Sequence, residues 1–260
     1  MSSRCRKALF LIGLAWDCTA MGGELRVCAE PDNLPFSSRD ESGFENRIAR
    51  VLAAELGAGL RYVWAPQRRA FVRKTFGAGL CDAWMGVPAG FERMLTTRPY
   101  YRSTYVFVFA KRPLRSFDAR DLTQLRIGVQ LPGDDLAATP PGHALALRGA
   151  VNNVVGFTVY GEHPVGERIV DAVADGRLDA AVVWGPAAGF FARTRKLHVS
   201  EAQAPPELAS MPFRFSISIG VRRDEPALRD ALDRALERRK PEVEAILGRY
   251  SVPRVNDAAN

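Results

Sequence analysis

Histidine is scarce in this chain, and long apolar runs are few. The 260 residues hold three histidines, His143, His163 and His198, far apart and in no metal-ligand spacing. There is no nucleophile elbow, no Gly-x-Gly-x-x-Gly fingerprint, no P-loop and no zinc motif. The usual sequence marks of acyl transfer, dinucleotide binding and nucleotide hydrolysis are therefore missing. No catalytic residue, metal or cofactor is expected. Beyond the N-terminus no segment is long and apolar enough to cross a bilayer. Cysteine is also sparse, with four residues in the whole chain.

The N-terminus has a composition of its own. Arg4, Arg6 and Lys7 precede an apolar run over residues 8–16, and Cys18-Thr19-Ala20 resembles a cleavage site. The run is too short for a membrane span, so residues 1–20 read as a secretory signal peptide, with a buried N-terminal helix as the alternative. Asp17 before Cys18 argues against a lipoprotein signal. Cleavage takes three cations and one anion (Asp17) from a formal +7 and leaves +5. It also removes Cys5 and Cys18, leaving Cys28 and Cys81 in an oxidising compartment. Cys28 falls late in its strand and Cys81 just before its own, and parallel register would separate them. A disulfide and two buried free thiols both stay open. The arginines are spread along the chain, and the densest basic run, residues 234–240, reads as the solvated face of a terminal helix. An acidic protein partner is a better match than nucleic acid.

The organising stretch is residues 79–101, GLCDAWMGVPAGFERMLTTRPYY. It reads as a strand over 82–87, a Pro88-Ala89-Gly90 turn, a short helix and an aromatic exit. Before it come a strand at 25–29, a loop fixed by Pro31 and Pro35, and a helix after Gly43-Phe44-Glu45. In that helix Ile48, Val51, Leu52 and Leu56 recur at helical spacing. A strand at 60–64 and a helix over 68–76 follow. Strands at 125–130, 154–160 and 178–184 and a helix at 165–174 repeat the pattern. A helix-like run from Leu136 is expected to be cut short by Pro140-Pro141-Gly142. Each series ends alike, in Gly79-Leu80-Cys81-Asp82-Ala83 and in Gly176-Arg177-Leu178-Asp179-Ala180. Such alternation implies α/β architecture with right-handed crossovers. The strands at 105–110 and 213–221 are left to lie side by side and join two lobes. The expected division is 21–108 with 217–260 for lobe 1 and 109–216 for lobe 2. A helical tail covers 226–250.

Gly43-Phe44-Glu45, the Asp82 strand, Glu92-Arg93, Pro99-Tyr100-Tyr101, Ile127-Gly128-Val129 and the second Gly-x-Leu-Asp-Ala resemble family 3 extracellular solute-binding proteins. The resemblance covers almost all of the chain after the leader. It implies a two-lobed periplasmic-binding-protein fold (type II, flytrap) with two hinge strands, closing on a ligand. The phrases LRVCAEPDNLPFS, GFENRIARVLAAELG, WAPQRRAFVRKTF and CDAWMGVPAGFERMLTTRPYYRSTYVFV are very similar to the MoxJ/XoxJ group within that family. Those periplasmic proteins accompany PQQ-dependent (quinoprotein) methanol dehydrogenases. The resemblance implies a methanol dehydrogenase as partner and a role in its maturation or activation, not alcohol oxidation by this chain. The other reading is the substrate-binding protein of an ABC transporter for a small anionic solute.

Departures from the family bear on the ligand. Amino-acid binders use an arginine for the ligand carboxylate and an acid for its ammonium. Arg93 stands at the arginine position, but Trp184-Gly185-Pro186 stands where the acid would be. Gly86, Val87, Pro88 and Gly90 replace the hydroxyl residues of the loop before the arginine. A zwitterionic amino acid is therefore disfavoured. Cleft positions are expected for Arg93, Phe36, Asn33, Tyr100, Trp184, Gln130, Asp134 and His163. Six of them have a plain structural alternative: a surface ion pair with Glu92 or Asp82 for Arg93, core or hinge packing for Phe36, Tyr100 and Trp184, helix capping for Asp134, and a solvated loop for His163.

Overall fold

The computed structural model describes residues 23–67, 70–131, 138–160 and 162–255. The expected leader, Arg68, Arg69, Asp134 and Asp135 lie outside the described residues. No helix among the described residues is long and apolar enough to cross a membrane.

The first half holds β1 (Glu24–Ala29), the two-residue strands β2 (Asp32–Asn33) and β3 (Ser37–Ser38), α1 (Phe44–Glu55), β4 (Gly59–Trp64), α2 (Phe71–Lys74) and β5 (Ala83–Pro88). After β6 (Leu95–Thr96), the long β7 (Tyr101–Phe109) carries the chain into a second series. That series is β8 (Ile127–Leu131), α3 (Pro140–Leu147), β9 (Val154–Thr158), α4 (Val165–Ala174), β10 (Ala180–Trp184), α5 (Gly185–Thr194) and β11 (His198–Glu201). β12 (Arg214–Val221) then returns, followed by α6 (Pro226–Arg238) and α7 (Lys240–Arg249).

The strand order is β4-β1-β5-β12-β7-β10-β8-β9, with β6 added to β12 and β11 to β7. The pairs β1/β4, β1/β5, β8/β9 and β8/β10 are parallel, as crossover helices require. β12 and β7 run antiparallel to their neighbours and stitch the two series together. The first four residues of β7, Tyr101 to Thr104, pair with β12, and Tyr105 to Phe109 pair with β10.

The repeated Gly-x-(Leu/Cys)-Asp-Ala phrase does the same work twice. Gly79 (φ +65°) and Gly176 (φ +72°) turn the chain through left-handed backbone that a side chain would strain. The aspartate then closes the foot of a parallel pair. Asp82 donates its N–H to the Arg26 carbonyl (2.8 Å) and accepts from the Arg26 N–H (3.0 Å). Asp179 repeats this with Arg126, at 3.0 and 2.8 Å. Asp82 also binds the Arg26 guanidinium (2.5 Å) and Arg222 (3.2 Å). Burial raises its pKa, but the Arg26 side-chain and backbone hydrogen bonds and the two arginine charges outweigh that and hold it below the usual aspartate value.

In α1, Phe44, Ile48 and Leu52 are buried while Val51 and Leu56 are half-buried, and Gly57 (φ +64°) ends the turn. This helix packs with α6 and α7 on the core around Val27, Ile219 and Leu232. A second core, around Phe107, Phe117 and Leu145, lies beneath β8 and β10. A third, around Val108, Ile169 and Phe191, joins α4 and α5 to β7 and β10.

Cys28 and Cys81 are bonded, with Cα atoms 5.6 Å apart, in a small cluster with Phe71 and Phe76. The ladder pairs Val27 with Ala83 and Cys28 with Trp84. A straight extension of β5 would leave Cys81 roughly 10 Å further along. Cys81 instead precedes the ladder and lies against the face of β1.

Several expectations are corrected. Pro140 and Pro141 begin α3 rather than ending a helix, because the first turn of a helix has no use for a proline's missing N–H. Residues 91–94 form turns, with Phe91 N–H on Pro88 O and Met94 N–H on Phe91 O, and not a short helix. The tail is two helices, since Pro241 sits in the first turn of α7. α5 and β11 were not anticipated.

Candidate functional site

A cavity of about 340 Å³ opens between the two series of strands. Its near wall is built by the loop after β1. Phe36 N–H bonds the Asn33 carbonyl (2.9 Å), closing a turn that aims Asn33 and Phe36 at the cavity. That loop also caps α1: Phe44 N–H donates to Pro35 O (2.8 Å) and Glu45 N–H to Phe36 O (2.9 Å). Gly43 permits the approach, since a Cβ there would collide with the Phe36 carbonyl. The Gly43-Phe44-Glu45 phrase is thus a docking device. Gly43 lets the loop in, Phe44 fills the core with no exposed surface, and Glu45 faces the cavity.

Among the described residues lining the cavity, Glu45 is the one ionisable side chain of Asp, Glu, Lys, Arg and His type. It is 6% exposed. Its carboxyl has no hydrogen-bond or ion-pair partner among the described residues, and burial alone pushes its pKa up to about 8. The carboxyl lies against the bare backbone of Gly86 (φ +75°), where a Cβ would stand 2.5 Å from Oε1.

The far wall is aromatic. Trp184 ends β10, and α5 starts at the next residue without a loop. Gly185 allows this, since a Cβ would meet the Thr104 carbonyl at 2.6 Å and Ser103 Oγ at 2.7 Å. Trp184 packs edge-on against Tyr105 (5.4 Å between centroids) and Phe215 (5.7 Å). Burial raises the Tyr105 hydroxyl to about 12 and the Tyr101 hydroxyl well above its ordinary value.

Of the expected cleft residues, Asn33, Phe36, Gln130 and Trp184 line this cavity. Arg93, Tyr100 and His163 are placed elsewhere. Arg93 is exposed and borders a separate hollow of about 450 Å³ with Phe71, Arg73 and Trp84. It follows a turn that carries it past the mouth, since residues 91–94 do not form the expected helix. The bland pairing with Asp82 is not made either, because Asp82 is taken by Arg26 and Arg222. Tyr100, in the segment before β7, lines a different hollow with Leu236 and Val243. His163 is exposed at the foot of α4, where its carbonyl accepts from Arg168 Nε (3.1 Å). Asp134 lies outside the described residues. Glu45, Tyr105 and Phe215 line the cavity and were not singled out. Glu45 was visible in its motif, but an acid in a first helical turn usually reads as a response to the helix dipole.

The chain matches the profile of the bacterial extracellular solute-binding proteins, family 3, over residues 25–251. It belongs to that family. Its fold is the two-lobed α/β periplasmic-binding-protein fold. Protein MoxJ of Paracoccus denitrificans is 30% identical over 263 residues, covering 96% of this chain and 95% of the relative. The periplasmic binding protein XoxJ of Methylobacterium extorquens AM1 superposes with a TM-score of 0.73 at 33% identity, covering 90% of this chain and all of that one. MxaJ from Methlophaga aminisulfidivorans MPT gives a TM-score of 0.75 at 26% identity, covering 89% of this chain and all of that one.

Proposed function

We propose that this chain is a periplasmic accessory protein of a PQQ-dependent methanol dehydrogenase, exported by its N-terminal segment and acting in maturation or activation of that enzyme through protein–protein contact. The observation that carries the reading is the similarity to MoxJ and XoxJ over nearly the whole chain. The cleft supports it from the other side. It offers an amino acid neither the arginine nor the opposing acid of the family's binders, since Arg93 is outside it and Trp184 closes it. A transporter role for a small anion finds no support there either, because the described lining residues include an acid and no cation. No catalytic role is proposed.

The test is a binding measurement with the purified dehydrogenase in its PQQ-free and loaded forms. Micromolar or tighter association with the PQQ-free enzyme, at least tenfold weaker with the loaded one, is expected. No association with either form at tens of micromolar would contradict the reading.

A further inference from the structure

The cleft combines two features that a neutral or anionic occupant would waste. One is the Glu45 carboxyl, nine-tenths buried and without a partner among the described residues. A buried acid relieves its lost hydration either by keeping its proton or by taking a cation beside it. The other is the aromatic lining from Phe36, Tyr101, Tyr105, Trp184 and Phe215. Aromatic faces carry partial negative charge and attract cations. Among the described residues, no Lys, Arg or His lines the cavity to answer either feature. We propose that the cleft is a binding site for a small organic cation, an alkylammonium group whose charge meets the Glu45 carboxylate and whose carbon body lies against the rings.

Gly86 makes the site a built one. Its bare backbone leaves the carboxyl room at the cavity floor, where any Cβ would crowd Oε1. The volume of about 340 Å³ is at the small end for ligand sites, so an ammonium head with a short chain fits better than a folded segment. A free alkylamine and a lysine side chain of a partner polypeptide share this chemistry. The inference stands on the cleft alone and does not depend on a dehydrogenase partner.

Binding would be linked to the proton on Glu45. Among the described residues, the ionisable groups facing it are the phenols of Tyr62 from β4, of Tyr100 just before β7 and of Tyr101 at its start. Burial raises all three, Tyr62 to about 12, so they stay neutral while Glu45 titrates near 8. Below that pH the cation must expel the proton, so affinity falls as pH falls.

Calorimetric titration of the purified chain with butylammonium, butanol and butyrate tests this at pH 9 and pH 6.5. Butylammonium should bind at least tenfold more tightly than either analogue at pH 9. It should weaken about thirtyfold at pH 6.5 and release about one proton on binding at pH 7, read in two buffers of different ionisation enthalpy. Glu45→Gln, its fold checked by circular dichroism, should lose at least tenfold in affinity and the pH dependence. Butanol binding as well as butylammonium, butyrate binding better, or equal affinity at both pH values would overturn the proposal, and these wild-type arms decide it even if the variant does not fold. Nα-acetyl-lysine methylamide distinguishes the sources: tighter binding than butylammonium assigns a polypeptide side chain, weaker binding a free amine.

Discussion

Burial raises the Glu45 carboxyl from 4.5 to about 8, and this gives the fold a pH dependence with a defined sign. Between those values the folded chain keeps a proton that the unfolded chain has lost. Stability from this group is therefore full below pH 4.5, falls as pH rises toward 8, and is level above it. The loss should reach roughly 5 kcal/mol. Urea denaturation of Glu45→Gln, which cannot ionise, should lack this slope and leave the variant more stable than the parent at pH 8. Parallel pH profiles for the two proteins would contradict the burial. Gly86→Ala is expected to unfold more easily than the parent by about 2 kcal/mol, from positive-φ strain plus the collision with Glu45. Neither residue's role was legible in the chain, because it arises where the first turn of α1 meets β5 and no local pattern reports that meeting. Asn33, Phe36, Gln130 and Trp184 were legible as residues at strand ends and in loops that the repeating βα pattern turns toward one crevice. Arg93 was misplaced by the same rule, because the turn at 91–94 is not the helix that would have swung it inward.

At the level of elements, the repeated aspartates make a paired prediction. Asp82 ties Arg26 through backbone and guanidinium and also holds Arg222, while Asp179 has its backbone exchange with Arg126. Asp82→Ala should cost about 2 kcal/mol and Asp179→Ala about 1, measured by urea denaturation. Equal costs would mean that the arginine contacts add nothing. The disulfide joins residues 53 apart in sequence. Replacing both cysteines with alanine should lower stability by about 4 kcal/mol in the loop-entropy account, and an unchanged unfolding midpoint would count against that account. The βα alternation and the Gly-to-Ala repeat were readable because each depends on near neighbours in sequence. The prolines of α3 misled because the same residue stops a helix from within and starts one at its first turn. α5 escaped because a strand passes to a helix at Trp184-Gly185-Pro186 with no intervening loop.

Across the whole molecule, β7 and β12 carry the connection between the series, and the C-terminal tail adds to it. Phe190 of α5 stacks on Tyr250 at 5.6 Å, Ser103 Oγ donates to Pro253 O at 2.6 Å, and Val255 N–H donates to Arg102 O at 3.2 Å. A chain ending at Arg249 should therefore lose about 3–5 kcal/mol, since Tyr250 and Val252 leave the core with it. The central claim, a role in bringing a methanol dehydrogenase to its active state, concerns the cell rather than the fold. The most direct measurement is the PQQ content and specific activity of the dehydrogenase purified from a strain in which this gene is deleted. The account predicts normal amounts of dehydrogenase polypeptide with PQQ loading and activity reduced at least severalfold, restored by the intact gene. Normal PQQ loading and activity in the deletion strain would contradict it.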